Sequence, residues 1–373
     1  MSPKPDQEFS PFAGSIGQHP LTLIAGPCSA ESRDQVLSTA RGIAANFPHA
    51  IFRAGVWKPR TRPGTFEGMG APALEWLKEV KSETNLLVAI EVANAGHVQE
   101  ALKAGIDILW IGARTVVNPF SVQEIADAIQ GTGVPVLVKN PIHPDIDLWV
   151  GAIERVLKAG SLKVAAVHRG FHQYLKTQYR NPPQWEIPIR LKEIFPQIQV
   201  FCDPSHIGGK PELIESIAQK ALDLGMEGLM IETHCQPEFA LSDAHQQVSP
   251  YLLNQIIQHL EIRQSPETSE NLLCEIDAIR AKIDRIDDEL LLMLAERMKA
   301  SKEIGEFKKE HNISILQIKR WRKIIRKALK EGNNLGLQPD FIKAVYQLIH
   351  EESIRIQSDV LKKKVNPLKE LPF

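Results

Sequence analysis

Four residues that can bind a transition metal occur at or just after the ends of apolar, strand-like runs. Cys28 follows the first run and His206 follows the seventh, while Glu232 closes the eighth and Asp243 lies in the loop after it. One thiolate, one imidazole and two carboxylates form a donor set that suits a divalent transition metal without selecting one ion. The sequence therefore predicts a metal site if folding brings the ends of these runs together.

Basic residues lie at the ends of four further runs, the second, fourth, fifth and sixth. Unpaired cations in one cavity repel one another, so such a cavity should hold anions, and arginine forks match the oxygens of phosphate and carboxylate groups. Arg60 and Arg62 follow the second run, and a solvated surface position explains Arg62 equally well. The cations at the ends of runs are Arg53, Lys58, Arg114, Lys139 and Arg169.

Taken singly, each of these residues has an ordinary structural explanation. A lone buried cysteine usually belongs to a core, and a lone loop aspartate usually caps a helix or is solvated. Cys202 also stands near the end of a run, but its neighbours favour a packing role. The predicted site depends on several chemistry-bearing residues sharing the same ends of their runs.

The elements that carry these residues follow a repeated β/α pattern. Short apolar runs are typical of strands buried on both faces of a parallel sheet, and amphipathic segments separate them. Eight such units predict an α/β fold, a (β/α)8 TIM barrel, whose functional groups lie at the C-terminal ends of the strands. An open doubly wound sheet is the alternative, but no GxGxxG motif follows the first run. The predicted strands are 21–26, 51–57, 86–92, 108–113, 134–139, 163–168, 199–203 and 228–233.

The pattern changes near residue 263, where a polar, proline-containing segment is typical of a linker. Beyond it, apolar residues from Ile276 to Leu294 recur at three- and four-residue spacing and predict a long amphipathic helix that runs to about His311. A helix of some forty residues cannot bury its apolar stripe within so small a domain. The sequence therefore predicts a homodimer formed through the helical region.

Two shorter helices complete an all-α, three-helix domain. One is predicted over Leu316–Leu329, and segment 332–336, which contains two glycines and two asparagines, is predicted to break the chain after it. The other is predicted from Asp340 to about Lys363. The predicted organisation is a flexible arm (1–19), a barrel (20–262), a linker (263–269) and the helical domain (270–373).

Composition and charge are those of an ordinary cytoplasmic globular protein. Of 373 residues, 43% are hydrophobic and 24% charged, and the net charge of −1 predicts neither a nucleic-acid nor a membrane partner. The four cysteines are far apart and form no CxxC pair, which favours a reducing compartment. The N-terminal residues lack the apolar segment of a signal peptide, and no apolar run is long enough to cross a bilayer.

The ordered motifs AGPCSAES, KPRT, IGAR, VLVK, HRG, DPSH, IETH and LSD resemble those of 3-deoxy-D-arabino-heptulosonate-7-phosphate (DAHP) synthases, in their short, barrel-only variety. The resemblance implies condensation of phosphoenolpyruvate with erythrose 4-phosphate, with release of phosphate. It implies a divalent metal, with Mn²⁺ favoured and Fe²⁺, Co²⁺ or Zn²⁺ as alternatives, and Lys58 as a catalytic residue. The implied metal ligands are Cys28, His206, Glu232 and Asp243, the phosphoenolpyruvate contacts Arg53, Lys58, Arg114, Lys139 and Arg169, and the erythrose-phosphate contacts Pro59, Arg60 and Thr61.

The chain departs from this family's pattern in two places. His168 stands before the arginine of HRG, where many relatives have a glutamate, and Asn140-Pro141 follows Lys139, where Arg-Gly is commoner. Both departures bear on the contacts around Lys139 and Arg169.

The helical region is similar to the all-helical chorismate mutases over about residues 270–360, through IRAKIDRIDDELLLMLAER, IGEFKK and HEESIRIQ. The resemblance implies rearrangement of chorismate to prephenate, in which arginines hold the two carboxylates and other donors serve the ether oxygen. Trp321 stands where the family usually has a glutamate that accepts the substrate hydroxyl, and Gln317 stands where an aspartate is common. The implied site residues are Arg280, Arg297, Lys308, Arg320, Ser353 and Gln357.

The fusion suggests regulation, and three alternatives remain open. Binding of prephenate or chorismate to the helical domain is expected to inhibit the barrel, for which a coupling of roughly 1–3 kcal/mol suffices. One alternative is the sister synthase that uses arabinose 5-phosphate. In another, the helical domain is mainly a dimerisation and ligand-sensing module with weak mutase activity. In a third, it is a related lyase that acts on isochorismate.

Overall fold

The computed structural model of the protein describes residues 12, 21–58, 66–161, 163–174, 177–262 and 270–362, with side chains in the last range described from residue 276. The chain divides into two compact units, Met1–Ser265 and Pro266–Phe373, which are described separately below. Apart from Phe12, the predicted arm and the predicted linker lie outside the described residues.

The strands of the first unit are β1 (Thr22–Gly26), β2 (Ile51–Ala54), β3 (Leu87–Val92), β4 (Ile108–Ile111), β5 (Val136–Lys139), β6 (Val164–His168), β7 (Gln199–Cys202) and β8 (Gly228–Glu232). They form a closed parallel barrel in chain order. β1 pairs with β8 from Thr22 opposite Gly228 to Gly26 opposite Glu232, so neither strand is an edge. The predicted barrel is confirmed, and the open sheet is excluded.

Helices alternate with these strands and bury one apolar side each. Several begin at a polar cap, as where the side chains of Ser32, Asn94 and Asp145 accept hydrogen bonds from backbone N–H groups of the first turn. The helices are α1 (Arg33–Ala44), α2 (Ala71–Thr84), α3 (Ala95–Lys103), α4 (Ala113–Val116), α5 (Pro119–Ile129), α6 (Ile146–Lys158), α7 (Glu186–Ile194), α8 (Pro204–Gly208), α9 (Ile214–Asp223) and α10 (Pro250–His259).

Two hydrophobic cores hold the barrel together. The larger lies between the strands and the helices, and the smaller fills the barrel with side chains such as Ile24, Trp110 and Met230. Phe12 belongs to the smaller core: its ring meets Phe201 edge-on at 5.8 Å, and its backbone N–H donates to Gln199 Oε1 at 2.6 Å. At this residue the predicted arm is fixed at the N-terminal end of the barrel.

The second unit consists of α11 (Glu270–Glu310), α12 (Ile318–Asn334) and α13 (Pro339–Lys362). The predicted three-helix domain is confirmed, but a break at residues 332–334 is wrong, because α12 continues through them. Gly332 lies directly against Ile342 of α13, where a Cβ atom would collide, so this glycine permits helix packing. The chain turns only after Leu335, at Gly336, whose φ is +77°. No described helix has the length and apolar character needed to span a membrane.

Candidate active sites

The four predicted metal ligands converge at the C-terminal end of the barrel. The ligand atoms of Cys28, Glu232 and Asp243 lie within 4.8 Å of one another. The Cys28 thiol donates to Asp243 Oδ2 at 3.3 Å, and His206 Nε2 lies 3.8 Å from Glu232 Oε1. The pairing of β1 with β8 produces this approach, because it sets the ends of the two strands side by side.

Asp203, at the start of α8, orients the imidazole of His206. Its Oδ2 lies 2.8 Å from His206 Nδ1 and 2.7 Å from Lys139 Nζ. Burial opposes the charge on this carboxylate, but the facing His206 and Lys139 hold its pKa well below the usual range. Burial in turn lowers the pKa of His206, which favours the neutral ring that a metal binds. A carboxylate behind a ligating histidine is a common means of fixing the ring.

Glu232 is fully buried and is held on both carboxylate oxygens. Arg53 Nη1 lies 3.2 Å from Oε1, and the Gln246 amide donates to Oε2. Gln246 in turn accepts from Arg180, whose guanidinium also donates to Asp243 Oδ1 at 3.0 Å. Asp243 has a φ of 48°, in the left-handed region that non-glycine residues seldom adopt. Its contact with Arg180 holds it in that conformation.

Glycines allow the ends of β1 and β2 to approach closely. Gly26 has a φ of +149°, and a Cβ atom there would collide with the Arg53 carbonyl. At Gly55 a Cβ atom would lie 2.5 Å from the Cys28 carbonyl and 2.6 Å from Lys58 Nζ. A side chain at Gly55 would therefore displace Lys58 from the mouth of the barrel.

A cavity of about 350 Å³ opens at this end of the barrel, and five basic side chains line it. Burial, together with the neighbouring Arg180 and Arg114, lowers the pKa of Arg169 to about 10 against the opposing Asp203. The group stays charged at neutral pH, so the cavity concentrates positive charge and suits anions. Its lining includes Lys58, Glu91, Arg114, Lys139, Arg169, His172, Arg180, His206 and Asp243.

The donor set fits a divalent metal. Burial and the Glu232 carboxylate raise the pKa of the Cys28 thiol to about 11, so a cation must displace its proton to bind the sulfur. Cys28, Glu232 and Asp243 offer sulfur and oxygen donors close to one another, and His206 adds a nitrogen donor beside Glu232. That combination suits a transition metal better than Ca²⁺ or Mg²⁺, which prefer oxygen ligands.

A second cluster of polar side chains lies between α11 and α13. Arg297 donates to Ser353 Oγ at 2.7 Å, and Lys308 donates to Gln357 Oε1 at 2.9 Å. Lys308 and Gln357 are each only 8% exposed, and burial lowers the pKa of both Arg297 and Lys308. Two partly buried cations beside neutral hydrogen-bonding groups are suited to a small anion.

Two further predicted residues lie apart from this cluster. Arg320 lines a separate groove of about 470 Å³ between α12 and α13. Arg280 is exposed and pairs with Asp277 at 3.0 Å. It precedes Arg297 by 17 residues of one helix, a rise of about 25 Å, so the two arginines of one chain do not share a site.

Residues 9–266 match the family model described as the DAHP synthetase I family. The chain belongs to that family. Residues 279–358 match chorismate mutase type II. The protein thus joins a DAHP synthase, a transferase, to a chorismate mutase, an isomerase, and both domains belong to aromatic biosynthesis by the shikimate pathway.

Individual relatives agree with the synthase family. A phospho-2-dehydro-3-deoxyheptonate aldolase of Thermotoga maritima is 30% identical over 246 residues, covering 66% of this chain and 70% of that protein. A 2-dehydro-3-deoxyphosphooctonate aldolase of a Bradyrhizobium species is 29% identical over 247 residues, covering 62% of this chain and 84% of that protein. The crystal structure of the Thermotoga maritima DAHP synthase has a TM-score of 0.57 at 29% identity, covering 64% of this chain and 67% of that one.

Of the five predicted phosphoenolpyruvate contacts, all but Arg53 line the cavity. Lys58, Arg114, Lys139 and Arg169 line the cavity, whereas Arg53 is 1% exposed and lies in an ion pair with Glu232. Pro59, Arg60, Thr61 and Arg62 lie outside the described residues. Cys202 is buried in the outer core, as its predicted packing role requires.

Sequence reasoning missed three synthase residues that hold the others. Asp203 stands within the DPSH motif and could have been predicted from it, because a carboxylate three residues before a ligating histidine can reach its ring. Gln246 and Arg180 carried no such signal. A neutral amide and a loop arginine become meaningful only when the fold brings both beside Glu232 and Asp243.

The two departures of the synthase from its family have structural explanations. The His168 ring packs among Trp149, Phe171 and Trp185. Asn140 Oδ1 accepts from the backbone N–H of Arg169 at 2.7 Å, and its amide donates to the Gly170 carbonyl. His168 therefore belongs to an aromatic cluster, and Asn140 positions the backbone that carries Arg169.

Proposed function

We propose that the barrel condenses phosphoenolpyruvate with D-erythrose 4-phosphate to give DAHP and inorganic phosphate, in the cytoplasm. The cluster of Cys28, Glu232 and Asp243, with His206 beside Glu232, lies at a cation-lined cavity of about 350 Å³ and carries this proposal. Two phosphorylated substrates need such an excess of positive charge. Free thiols at Cys28, Cys202 and Cys235 agree with a reducing compartment.

Basic residues in the cavity bind and orient the enol substrate. Arg114, Lys139 and Arg169 offer charged donors to its phosphate and carboxylate groups, each bond contributing roughly 1.5–3 kcal/mol. The enol carbon attacks the aldehyde carbon, water adds to the resulting cationic carbon, and the C–O bond to phosphate then breaks. Lys58, beside Gly55 at the end of β2, is placed to donate a proton to the oxygen of the former aldehyde.

A divalent metal, with Mn²⁺ favoured over Fe²⁺, Co²⁺ and Zn²⁺, supplies a Lewis acid for the aldehyde when bound by Cys28, His206, Glu232 and Asp243. The test is DAHP formation before and after removal of metal by a chelator, with add-back of each ion. We expect activity to disappear and to return with the native ion. Full activity of a metal-free preparation would refute the metal site.

A five-carbon sugar phosphate is the alternative substrate, because several relatives are 2-dehydro-3-deoxyphosphooctonate aldolases. Assays with erythrose 4-phosphate and with arabinose 5-phosphate in parallel separate the two activities. We expect turnover of the four-carbon sugar to dominate, and the reverse order would favour the alternative.

We infer that the helical domain rearranges chorismate to prephenate as a homodimer. Arg297 and Lys308 hold the carboxylates and the ether oxygen with help from Ser353 and Gln357. Apolar residues along α11, such as Ile283 and Leu290, are more than half exposed in a single chain. An interface between two copies would bury them. Pairing would also bring Arg280 of the partner subunit to a site it cannot reach within its own chain.

Turnover decides between an active mutase and its alternatives. Prephenate formation by the full chain, and its loss in Arg297→Ala, would support mutase activity. Binding of chorismate with negligible turnover would favour a ligand-sensing module, and release of pyruvate from isochorismate would favour the lyase.

The helical domain is proposed to report pathway product to the barrel. Prephenate or chorismate bound near Arg297 inhibits DAHP formation, with a coupling of roughly 1–3 kcal/mol, or about 5- to 150-fold in affinity. The test is prephenate titrated against synthase activity in the full chain and in Arg297→Ala. Equal inhibition of both, or inhibition of neither, would contradict the proposal.

A further inference from the structure

A pair of stacked aromatic rings lies beside the mutase cluster. The rings of Trp321 on α12 and His350 on α13 stack with centroids 4.0 Å apart and planes inclined by 11°. His350 precedes Ser353 by three residues and Gln357 by seven, so all three share one face of α13. That face carries the contacts to Arg297 and Lys308 of α11.

The positive charges of the mutase cluster also act on His350. Burial lowers the pKa of His350, and the positive charges of Arg297 and Lys308 lower it further, against the opposing Glu351. The imidazole is therefore neutral at neutral pH, with one nitrogen that donates and one that accepts. Within the described part of the chain, neither ring nitrogen has a hydrogen-bond partner.

The other residues of the mutase cluster leave one polar group of the proposed substrate without a hydrogen-bond partner. Chorismate has two carboxylates, an ether oxygen and a ring hydroxyl, and Arg297, Lys308, Ser353 and Gln357 suit the first three. Trp321 stands where the family usually has a glutamate that accepts the hydroxyl, and its indole N–H can only donate. A hydroxyl buried without a partner is unfavourable, so another side chain should accept from it.

We propose that His350 binds the ring hydroxyl of the substrate through a nitrogen of its neutral imidazole. Trp321 is a positioning residue that covers one face of the ring and leaves the nitrogen-bearing edge available. This proposal rests on the proposed mutase function and deepens it: the acceptor role has moved from α12 to α13. The stacking sets His350 directly beside Trp321, the residue that stands where the family usually has the acceptor.

The test compares His350→Phe with the parent chain on chorismate and on an analogue that lacks the ring hydroxyl. Phenylalanine can still stack on Trp321 but has no nitrogen. We expect kcat/KM for chorismate to fall about tenfold, the effect of one hydrogen bond, with little change for the analogue. Arg297→Ala is the control, because loss of a carboxylate contact should impair both substrates. Trp321→Phe should keep most activity, and Trp321→Ala should behave like His350→Phe.

Equal losses on both substrates would overturn the proposal, because they would show a merely structural role, and so would unchanged kinetics. A parent chain that does not turn over chorismate would refute the mutase function separately. Calorimetric binding of prephenate, which keeps the hydroxyl, then tests His350 by itself. About tenfold weaker binding by His350→Phe supports the contact, and equal binding overturns it.

Discussion

At the scale of single residues, the predicted synthase site depends on side chains that hold the predicted metal ligands in place. Gln246 links the Glu232 carboxylate to Arg180, which also holds Asp243. Asp203 links Lys139 to the ring of His206. Each of these contacts fixes the position of a group that would otherwise have several rotamers, which is how second partners tune metal affinity.

Gln246→Leu should weaken metal binding about 10- to 100-fold, because Glu232 and Arg180 both lose a partner while side-chain volume is kept. A titration of the metal-free protein with Mn²⁺ measures the change. Gln123→Leu, at an exposed position of α5, is the matched control. Unchanged affinity in Gln246→Leu would show that Glu232 needs no such support.

His168 should make the barrel sensitive to acid. Burial lowers the pKa of its ring from 6.5 to about 3, so the unfolded state takes up the proton at a higher pH than the folded state. Its stability contribution is complete above pH 6.5 and falls as the pH drops towards 3. Between pH 7.5 and pH 5, the parent chain should lose about 2 kcal/mol more than His168→Phe.

Chemical denaturation at the two pH values measures this difference. His259→Phe, at an exposed position, should keep the pH dependence of the parent chain. A parallel fall in His168→Phe and the parent would contradict the assignment.

At the scale of elements, close approach of backbones decides where side chains can meet. Gly26 and Gly55 let β1 and β2 bring Cys28 next to Lys58. In the helical unit, Gly305 of α11 faces the backbone of Gln357, and Gly332 of α12 faces Ile342. At each of these positions the two segments can approach so closely only because the glycine has no side chain.

Gly332→Val should destabilise the helical unit by about 1–3 kcal/mol, because the added atoms overlap the buried Ile342. Thermal or denaturant unfolding followed by circular dichroism measures the loss. Lys330→Val, on an exposed part of the same helix, controls for the lower helix propensity of valine. Equal losses in the two variants would mean that packing at Gly332 is unimportant.

At the scale of the whole molecule, the exposed apolar stripe of α11 is the feature that a single chain leaves unexplained. The helix has 41 residues, and Ile286 and Leu290 are 54% and 55% exposed. A second copy would cover them and, in the proposed dimer, would bring Arg280 of the partner subunit to each mutase site.

The double variant Ile286→Lys/Leu290→Lys should dissociate the dimer and abolish mutase activity, because charges cannot be buried unpaired in an apolar interface. Sedimentation analysis and prephenate formation measure the two effects. Glu289→Lys, on the same exposed helix, is the control and should leave the dimer intact. A parent chain that sediments as a monomer would refute the dimer directly.

The sequence by itself determined the order of the strands, the barrel class, the three helices and the positions of Cys28, His206, Glu232 and Asp243. These follow from local periodicity and from the rule that functional groups lie at the C-terminal ends of barrel strands. A one-residue signal such as Gly332 was misread, because a glycine that breaks a helix and one that allows helix packing look the same in sequence.

Only the tertiary structure shows which further side chains lie beside the predicted site residues. The partners in these contacts are far apart along the chain. Gln246 and Glu232 are separated by 14 residues, Arg180 and Asp243 by 63, and His350 and Trp321 by 29. Such contacts depend on how the elements pack, and no periodicity encodes them. Amides, aromatic rings and a neutral histidine have many ordinary positions in a protein, so their role appears only when the backbone brings them together.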